Sequence, residues 1–321
     1  MNKKTRITTI IFLLMILLTV SQSANAINTI KTKEQNATII VDKTGNSDFT
    51  TIQEAIDHAS ENSEILVKKG IYNEVIQIKK TITLVGEDRE STLIKPISEK
   101  NKYAILVGAP ETTIKDVTIT NGAPGLYTSA IRIITDKNNI ISCNIEDTPI
   151  GISIWTSENN IENCKFQGCN DEGIALIGAQ IDQCRKNIIK NCIFTECCDG
   201  IELQKSSENE ITQCNFYKNT HSAIDAISSS NDNNIISKCV IKENYAFGIY
   251  ISSSKENKII DCEIENNLGN DIKITGNSNN NIITNTQKQN PENEIINKLQ
   301  IIFKNLQNPA LQKTINNINN F

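Results

Sequence analysis

Two patterns of apolar and polar positions alternate along the chain. The first is Asn-x-Ile-x-x-Cys-x-(Ile/Phe). It runs through Asn138, Ile140, Cys143, Ile145 and returns at Asn159, Ile161, Cys164, Phe166 and at Asn187, Ile189, Cys192, Phe194. Further copies are Asn209, Ile211, Cys214, Phe216, then Asn234, Ile236, Cys239, Ile241, then Asn257, Ile259, Cys262, Ile264. A seventh reads Asn280, Ile282 with Asn285 in the cysteine slot, and a weaker one lies upstream at Thr112, Ile114, Val117, Ile119. The second pattern is Gly-Ile-x-Ile, at 130–133, 151–154, 173–176, 200–203, 223–226, 248–251 and 271–274, with Ala or Asp in place of Gly in three copies. Its steps are 21, 22, 27, 23, 25 and 23 residues, and the longest reflects an insertion around Gly178 to Lys186.

Both patterns alternate with period two, which predicts a short strand for each half-repeat. A fixed period in the twenties makes each repeat one coil of a solenoid, whose apolar rows are buried by the coils above and below. A leucine-rich repeat needs Leu at its signature positions, where this chain has Ile and Cys. The predicted fold is therefore all-β: a single-stranded right-handed parallel β-helix over residues 38–286. Ile52, Ala55, Ile56 and Ala59 share one helical face and predict a short helix that caps its first coil. Beyond about Pro291 the repeat is lost, and the spacing of Ile295, Ile296, Leu299, Ile302 and Phe303 predicts a helical cap over 291–321.

Residues 1–26 have the layout of a secretory signal. Lys3, Lys4 and Arg6 precede an apolar run from Ile10 to Val20, and small residues stand at 23–26. The run is short for a membrane span, so a secreted, extracellular or periplasmic protein is expected, with no membrane association after cleavage. Cleavage leaves 29 of the 32 basic residues against 37 acidic ones, a balance of −8. That excludes a basic nucleic-acid surface and disfavours a polyanionic ligand unless a cation bridges the two.

Ten cysteines in an exported chain suggest disulfides. Six of them occupy one equivalent inward position, so in-register neighbours about 4.8 Å apart would point the same way and pack as free thiols. Cys169 and Cys197 instead share a corner slot with Asn219, Asn244 and Asn267, which predicts a short Asn ladder. With Cys184 and Cys198 they are the candidates for a disulfide or a soft-metal site.

Outward positions of the Gly-Ile-x-Ile strands stack into rows. The central row reads Arg132, Ser153, Ala175, Glu202, Asp225, Tyr250, Lys273. Asp199, Glu202, His221 and Asp225 are the candidate catalytic residues, because two neighbouring carboxylates raise one pKa, as a general acid requires. Trp155, Tyr250 and Arg132 are candidate substrate-binding residues, with Trp155 as a sugar-stacking platform. Asp171 and Glu172 are candidate oxygen ligands for calcium. A solvated polar face is the competing reading of all of these, since outward positions of a solenoid are polar by default.

Val41 to Ala59, with Gly70, Tyr72 and Glu74 and the segments 65–80 and 81–94, resembles the N-terminal coils of pectinesterases and of NosD-like β-helix proteins, within the pectin-lyase-like superfamily. The resemblance implies the β-helix and a polysaccharide or cell-surface glycan as partner. If catalytic, the protein would be a polysaccharide lyase, hydrolase or epimerase. The later pectinesterase catalytic segments, the Arg-rich signature of pectate lyases and the Gly-His-Gly element of polygalacturonases are missing. A non-enzymatic surface spacer or adhesin, and a NosD-like accessory protein for metal delivery, remain the alternatives.

Overall fold

The computed structural model describes residues 38–97, 102–125, 127–179 and 184–288. The expected signal segment and the expected C-terminal helical cap lie outside them. The described chain is a parallel β-solenoid with strands from Ile39–Val41 to Gln287–Lys288. Three long parallel sheets run its length, with eleven, nine and ten strands, and Cys184–Arg185 pairs with Ser206–Ser207 in a separate short ladder. Among the described residues no helix is long and apolar enough to cross a membrane.

The Gly-Ile-x-Ile half-repeat forms the nine-stranded sheet as expected. The Asn-x-Ile-x-x-Cys half-repeat corrects the sequence reading, because it is two strands in two sheets. In the coil at 138–146, Asn139–Ile141 belongs to the eleven-stranded sheet and Asn144–Glu146 to the ten-stranded one. The bend between them falls on one left-handed residue, Ser142 at φ 54°, and the same place in later coils is held by Asn163, Asn191, Gln213, Lys238 and Asp261, all with φ between 53° and 56°. The other two corners turn the same way: Glu158, Lys186, Glu208, Asn233 and Glu256 precede the repeat asparagine, and Asp147, Glu196, Lys218, Glu243 and Asn266 precede the second corner slot. Left-handed geometry in non-glycine residues costs about 1–2 kcal/mol each, so each corner needs compensation.

Side chains just after the turns supply it. The Oδ1 of Asn159, Asn187, Asn209, Asn234 and Asn257 each accepts the main-chain N–H of the repeat asparagine one coil earlier, at 2.9–3.0 Å. Side-chain amides link the same row, as from Asn138 to Asn159 and from Asn187 to Asn209, both at 3.0 Å. The sequence pattern predicts such a ladder only at Asn219, Asn244 and Asn267. That ladder is present too, with 2.8 Å amide links and Cys197 N–H bonded to Asn219. At the third bend the cysteine takes over: Cys164, Cys192, Cys214 and Cys239 each aim Sγ at the carbonyl two residues back, at 3.3 Å. Thiol is small enough for the core and still satisfies that carbonyl.

The six ladder cysteines are at most 1% exposed, and all ten cysteines are free. Burial pushes the Cys143 and Cys164 thiols well above their ordinary range. One register expectation is off by a residue. Asn281, not Asn280, accepts from Asn257, and Ile283 pairs with Ile259, so the cysteine slot of the seventh copy falls on Thr286.

The helix at Ile52–His58, here α1, forms as expected, with Ile52, Ala55 and Ile56 buried. Glu74 of the Gly-x-Tyr-x-Glu residues holds it in place, and Tyr72 braces the chain at Lys68. Glu74 accepts the N–H groups of Ile52 and Gln53 at 3.0 and 2.9 Å, and the Tyr72 hydroxyl donates to the Lys68 carbonyl at 2.9 Å. This signature is accounted for by structure at the first coil.

Phe166, Phe194 and Phe216 stack in the core at 4.7 Å spacing with planes within 6°. Their rings explain the glycine of the second pattern: a Cβ on Gly173 would stand 2.6 Å from Phe194 Cδ1 and 2.7 Å from the Gly200 carbonyl oxygen. Gly173→Ala should therefore destabilise the fold by about 1–3 kcal/mol, the usual cost of overpacking. Phe194→Leu in the same chain should recover part of that loss in urea unfolding. A Gly173→Ala protein as stable as the parent would contradict this packing. A second measurement concerns the thiols: iodoacetamide should label all ten cysteines of the denatured, unreduced protein, and intact masses short of ten adducts would place a disulfide in the chain.

Candidate functional site

Strand pairing sets the site. Ser153 pairs with Ala175, Ala175 with Glu202, Glu202 with Asp225, Asp225 with Tyr250 and Tyr250 with Lys273, so the central row is the one read from the repeat. Glu172 pairs with Asp199 in the neighbouring row. Parallel strands lie about 4.8 Å apart, which brings carboxylates from three successive coils into one cluster.

These acids are not solvated. Glu172, Asp199, Glu202 and Asp225 are 6%, 6%, 8% and 3% exposed, whereas Asp171 is exposed and His221 half-buried. Neighbours replace water at several of the oxygens. Asp199 Oδ1 takes His221 Nδ1 at 2.8 Å and the Ser222 N–H at 2.8 Å, and Glu202 accepts from the Gln204 amide. His221 Nδ1 is also 3.6 Å from Asp225 Oδ2. Among the described residues, Glu172 Oε2 and Asp225 Oδ1 are buried without a hydrogen-bond partner.

Burial and mutual repulsion govern protonation here. Burial, and then the Glu202 and Asp171 charges, push Glu172 up to about 9. Burial, and then Asp199, push Asp225 up to about 7. Burial raises Glu202 against the opposing Gln204 hydrogen bond. The hydrogen bond to Asp199 raises His221. Cys198 is pushed up to about 12 by burial beside Asp199 and Asp171, so this half-buried thiol is no nucleophile at neutral pH.

Aromatic groups stand at both ends of the acidic stretch. Towards the N-terminus, Trp155 packs on Ile150, Ala175 and Ile177 and meets Tyr127 edge-on at 5.6 Å, while the Arg132 guanidinium lies 5.7 Å from the Tyr103 ring centre and donates to the Tyr127 carbonyl. Towards the C-terminus, Phe247 stacks on Tyr250 at 5.3 Å, and Lys273 Nζ lies 4.6 Å from the Phe247 ring centre. The predicted catalytic residues are thus brought together, and the predicted binding residues are distributed to either side of them. The sequence reading gave no role to Gln204, Ser222, Phe247 or Tyr127. Ser222 and Phe247 directly precede the Ala223 and Gly248 that open their Gly-Ile-x-Ile copies, which is the available signal, whereas nothing in the repeat marks Gln204 or Tyr127.

A raised carboxyl pKa has a definite sign for stability. The Glu172 contribution is fully present below its ordinary 4.5 and is lost as the pH rises to about 9. Thermal stability should accordingly fall across this window, and Glu172→Gln should flatten the fall. A variant whose pH profile of Tm overlays that of the parent would show Glu172 to be solvated.

Several known proteins resemble this chain. A probable pectinesterase 56 of Arabidopsis thaliana is 29% identical over 168 residues, 47% of this chain and 58% of that protein. A pectinesterase/pectinesterase inhibitor 18 of the same plant is 30% identical over 139 residues, 36% of this chain and 24% of that protein. The chain therefore spans little more than half the length of the first relative and a quarter of the second. The Dettilon tailspike protein has the same fold, with a TM-score of 0.55 at 13% identity over 79% of this chain and 61% of that one. A family model described as right handed beta helix region matches residues 103–231 and 129–288, most of the coiled chain, and the protein belongs to that family of right-handed β-helices.

Proposed function

We propose that this protein binds a polysaccharide along its nine-stranded sheet and acts on it by proton transfer at Glu202 and Asp225, outside the cytoplasm. The observation that carries this reading is the row in which buried Glu202 and Asp225 pair across adjacent coils between two aromatic groups. From Ser153, two residues before Trp155, to Tyr250 is four coil steps, or about 19 Å. That reach suits an extended chain of several sugar rings, with Trp155 and Tyr250 as the stacking ends and Arg132 beside the first. Lyase, hydrolase and epimerase chemistry each need one group to take a proton and one to give it. Asp225, with its ionisation near neutral pH, suits one of these roles, Glu202 the other, and His221 is placed to relay a proton. The pectinesterase names of the relatives support a polysaccharide partner, while the missing pectinesterase catalytic segments turn the reading away from ester hydrolysis.

A spacer or adhesin is disfavoured on energetic grounds. Four carboxyl groups less than 9% exposed on one face lower the stability of the fold, and contact alone gives no reason to keep them there. The test is a glycan array on the purified protein, followed by Glu202→Gln and by Glu202→Gln with Asp225→Asn, assayed for binding and turnover of the best ligand. The double variant should keep the parent circular dichroism spectrum and lose turnover by at least about 100-fold, the usual worth of positioned acid–base catalysis. Intact binding and turnover in the folded double variant would move the site elsewhere.

A further inference from the structure

We propose that Asp199, His221 and Asp225 form a binding site for one first-row divalent transition-metal ion, of the Zn²⁺ or Co²⁺ type. His221 Nδ1 lies 2.8 Å from Asp199 Oδ1 and 3.6 Å from Asp225 Oδ2, and ligand atoms from all three residues lie within 4.8 Å of one another. An ion held at about 2.0–2.2 Å by nitrogen and oxygen keeps adjacent ligand atoms roughly 3–3.5 Å apart. The two observed separations bracket that range, so small side-chain rotations are enough to close a coordination sphere. The main chain fixes the geometry, since Asp199 is held by the Ser222 N–H and Asp225 lies inside a paired strand.

A hydrogen-bonded His–Asp pair alone would account for the 2.8 Å contact. It does not account for Asp225. This carboxylate is 3% exposed and turns one oxygen towards His221, while its other oxygen is buried without a hydrogen-bond partner among the described residues. A buried carboxylate is ordinarily paired or bound to a cation. Among the described residues the surroundings supply too little positive charge to pair it. Five carboxyl groups, of Asp171, Glu172, Asp199, Glu202 and Asp225, share this face with one imidazole, and the nearest lysine on the row, Lys273, lies against Phe247 and Tyr250. The His221 side chain is 45% exposed, which leaves a path for the ion from solvent.

The donor set selects the class of ion. Calcium takes six to eight oxygen ligands, whereas one imidazole with two carboxylates suits Zn²⁺, Co²⁺ and their neighbours. The site is thus distinct in membership from the Asp171 and Glu172 pair expected from sequence to hold calcium. On binding, the Nδ1 lone pair is donated to the ion while Nε2 carries the imidazole proton: a protonated His221 releases its Nδ1 proton to solvent, and a neutral one shifts that proton to Nε2.

This inference does not rest on polysaccharide binding: with the ion bound, Asp225 and His221 are its ligands, and the proton-transfer roles proposed for them belong to the ion-free site, so its test uses the ions alone. Chelator-treated, full-length protein is titrated with Co²⁺ by visible absorption and with Zn²⁺ by calorimetry. One equivalent should bind, with the Co²⁺ spectrum of an imidazole–carboxylate site. His221→Gln and Asp225→Asn should each weaken Zn²⁺ by at least about 100-fold, since even an outer-shell partner is worth about 10–100-fold. Glu202→Gln, outside the ligand set, should keep stoichiometric binding while testing the polysaccharide reading separately. His221 is on the surface, so its variant should fold, and a parent-like thermal transition checks that. Absence of binding, equal affinity in His221→Gln, or Ca²⁺ bound as tightly as Co²⁺ would each overturn the assignment.

Discussion

The whole structure depends on the register between coils, and buried polar side chains at the corners fix that register. A solenoid of strands no longer than six residues makes few ladder hydrogen bonds per strand and must turn sharply three times per coil. In the repeat coils from Asn138 onward each turn passes through a left-handed residue, which is unfavourable by itself and leaves main-chain groups unpaired inside the molecule. The asparagine rows answer both problems, because one Oδ1 accepts main-chain and side-chain N–H groups from the coil before it. In a low-dielectric interior such a fully satisfied network is strong, and a slip of one residue would leave every amide in it without a partner. The cysteine row answers the same problem at the third corner with a weaker donor on a smaller side chain.

The acidic cluster follows from that register without further loops. Residues 23 or 27 positions apart in sequence become neighbours one strand spacing apart, as Asp225 is to Glu202 and Glu202 to Ala175. The acidic face is costly in a way that the inner rows are not. Its buried carboxyl groups repel one another, and the protonation of Asp225 and Glu172 is pushed towards neutral and alkaline pH. A fold held by the stacked Phe166, Phe194 and Phe216 and by the asparagine rows is rigid enough to keep such groups together.

Much of this was legible in the sequence because a repeat converts spacing into contact. The period placed the cysteines inside and the row from Arg132 to Lys273 in order, and the Ile52–His58 helix followed from its apolar face. The three-sided coil was hidden. Its corner residues, among them Ser142, Gln213, Lys238 and Glu196, share a backbone angle and no chemistry, so nothing in their side chains announces a bend. The same blindness shifted the seventh copy by one residue, since Asn280 and Asn281 are indistinguishable until Asn257 selects one of them. At the site the positions were legible and the burial was not. An acid on an outward row is expected to meet water, and only the structure shows Gln204 and His221 bonded to Glu202 and Asp199.

The central claim is that coil stacking alone assembles a polysaccharide site on the nine-stranded sheet. Its most direct test is a crystal of the protein soaked with the tightest-binding oligosaccharide. The account predicts a sugar chain parallel to the solenoid axis, spanning Trp155 to Tyr250, with one glycosidic linkage against Glu202 and Asp225. An oligosaccharide seated on either of the other two sheets, with the acidic face left bare, would contradict it.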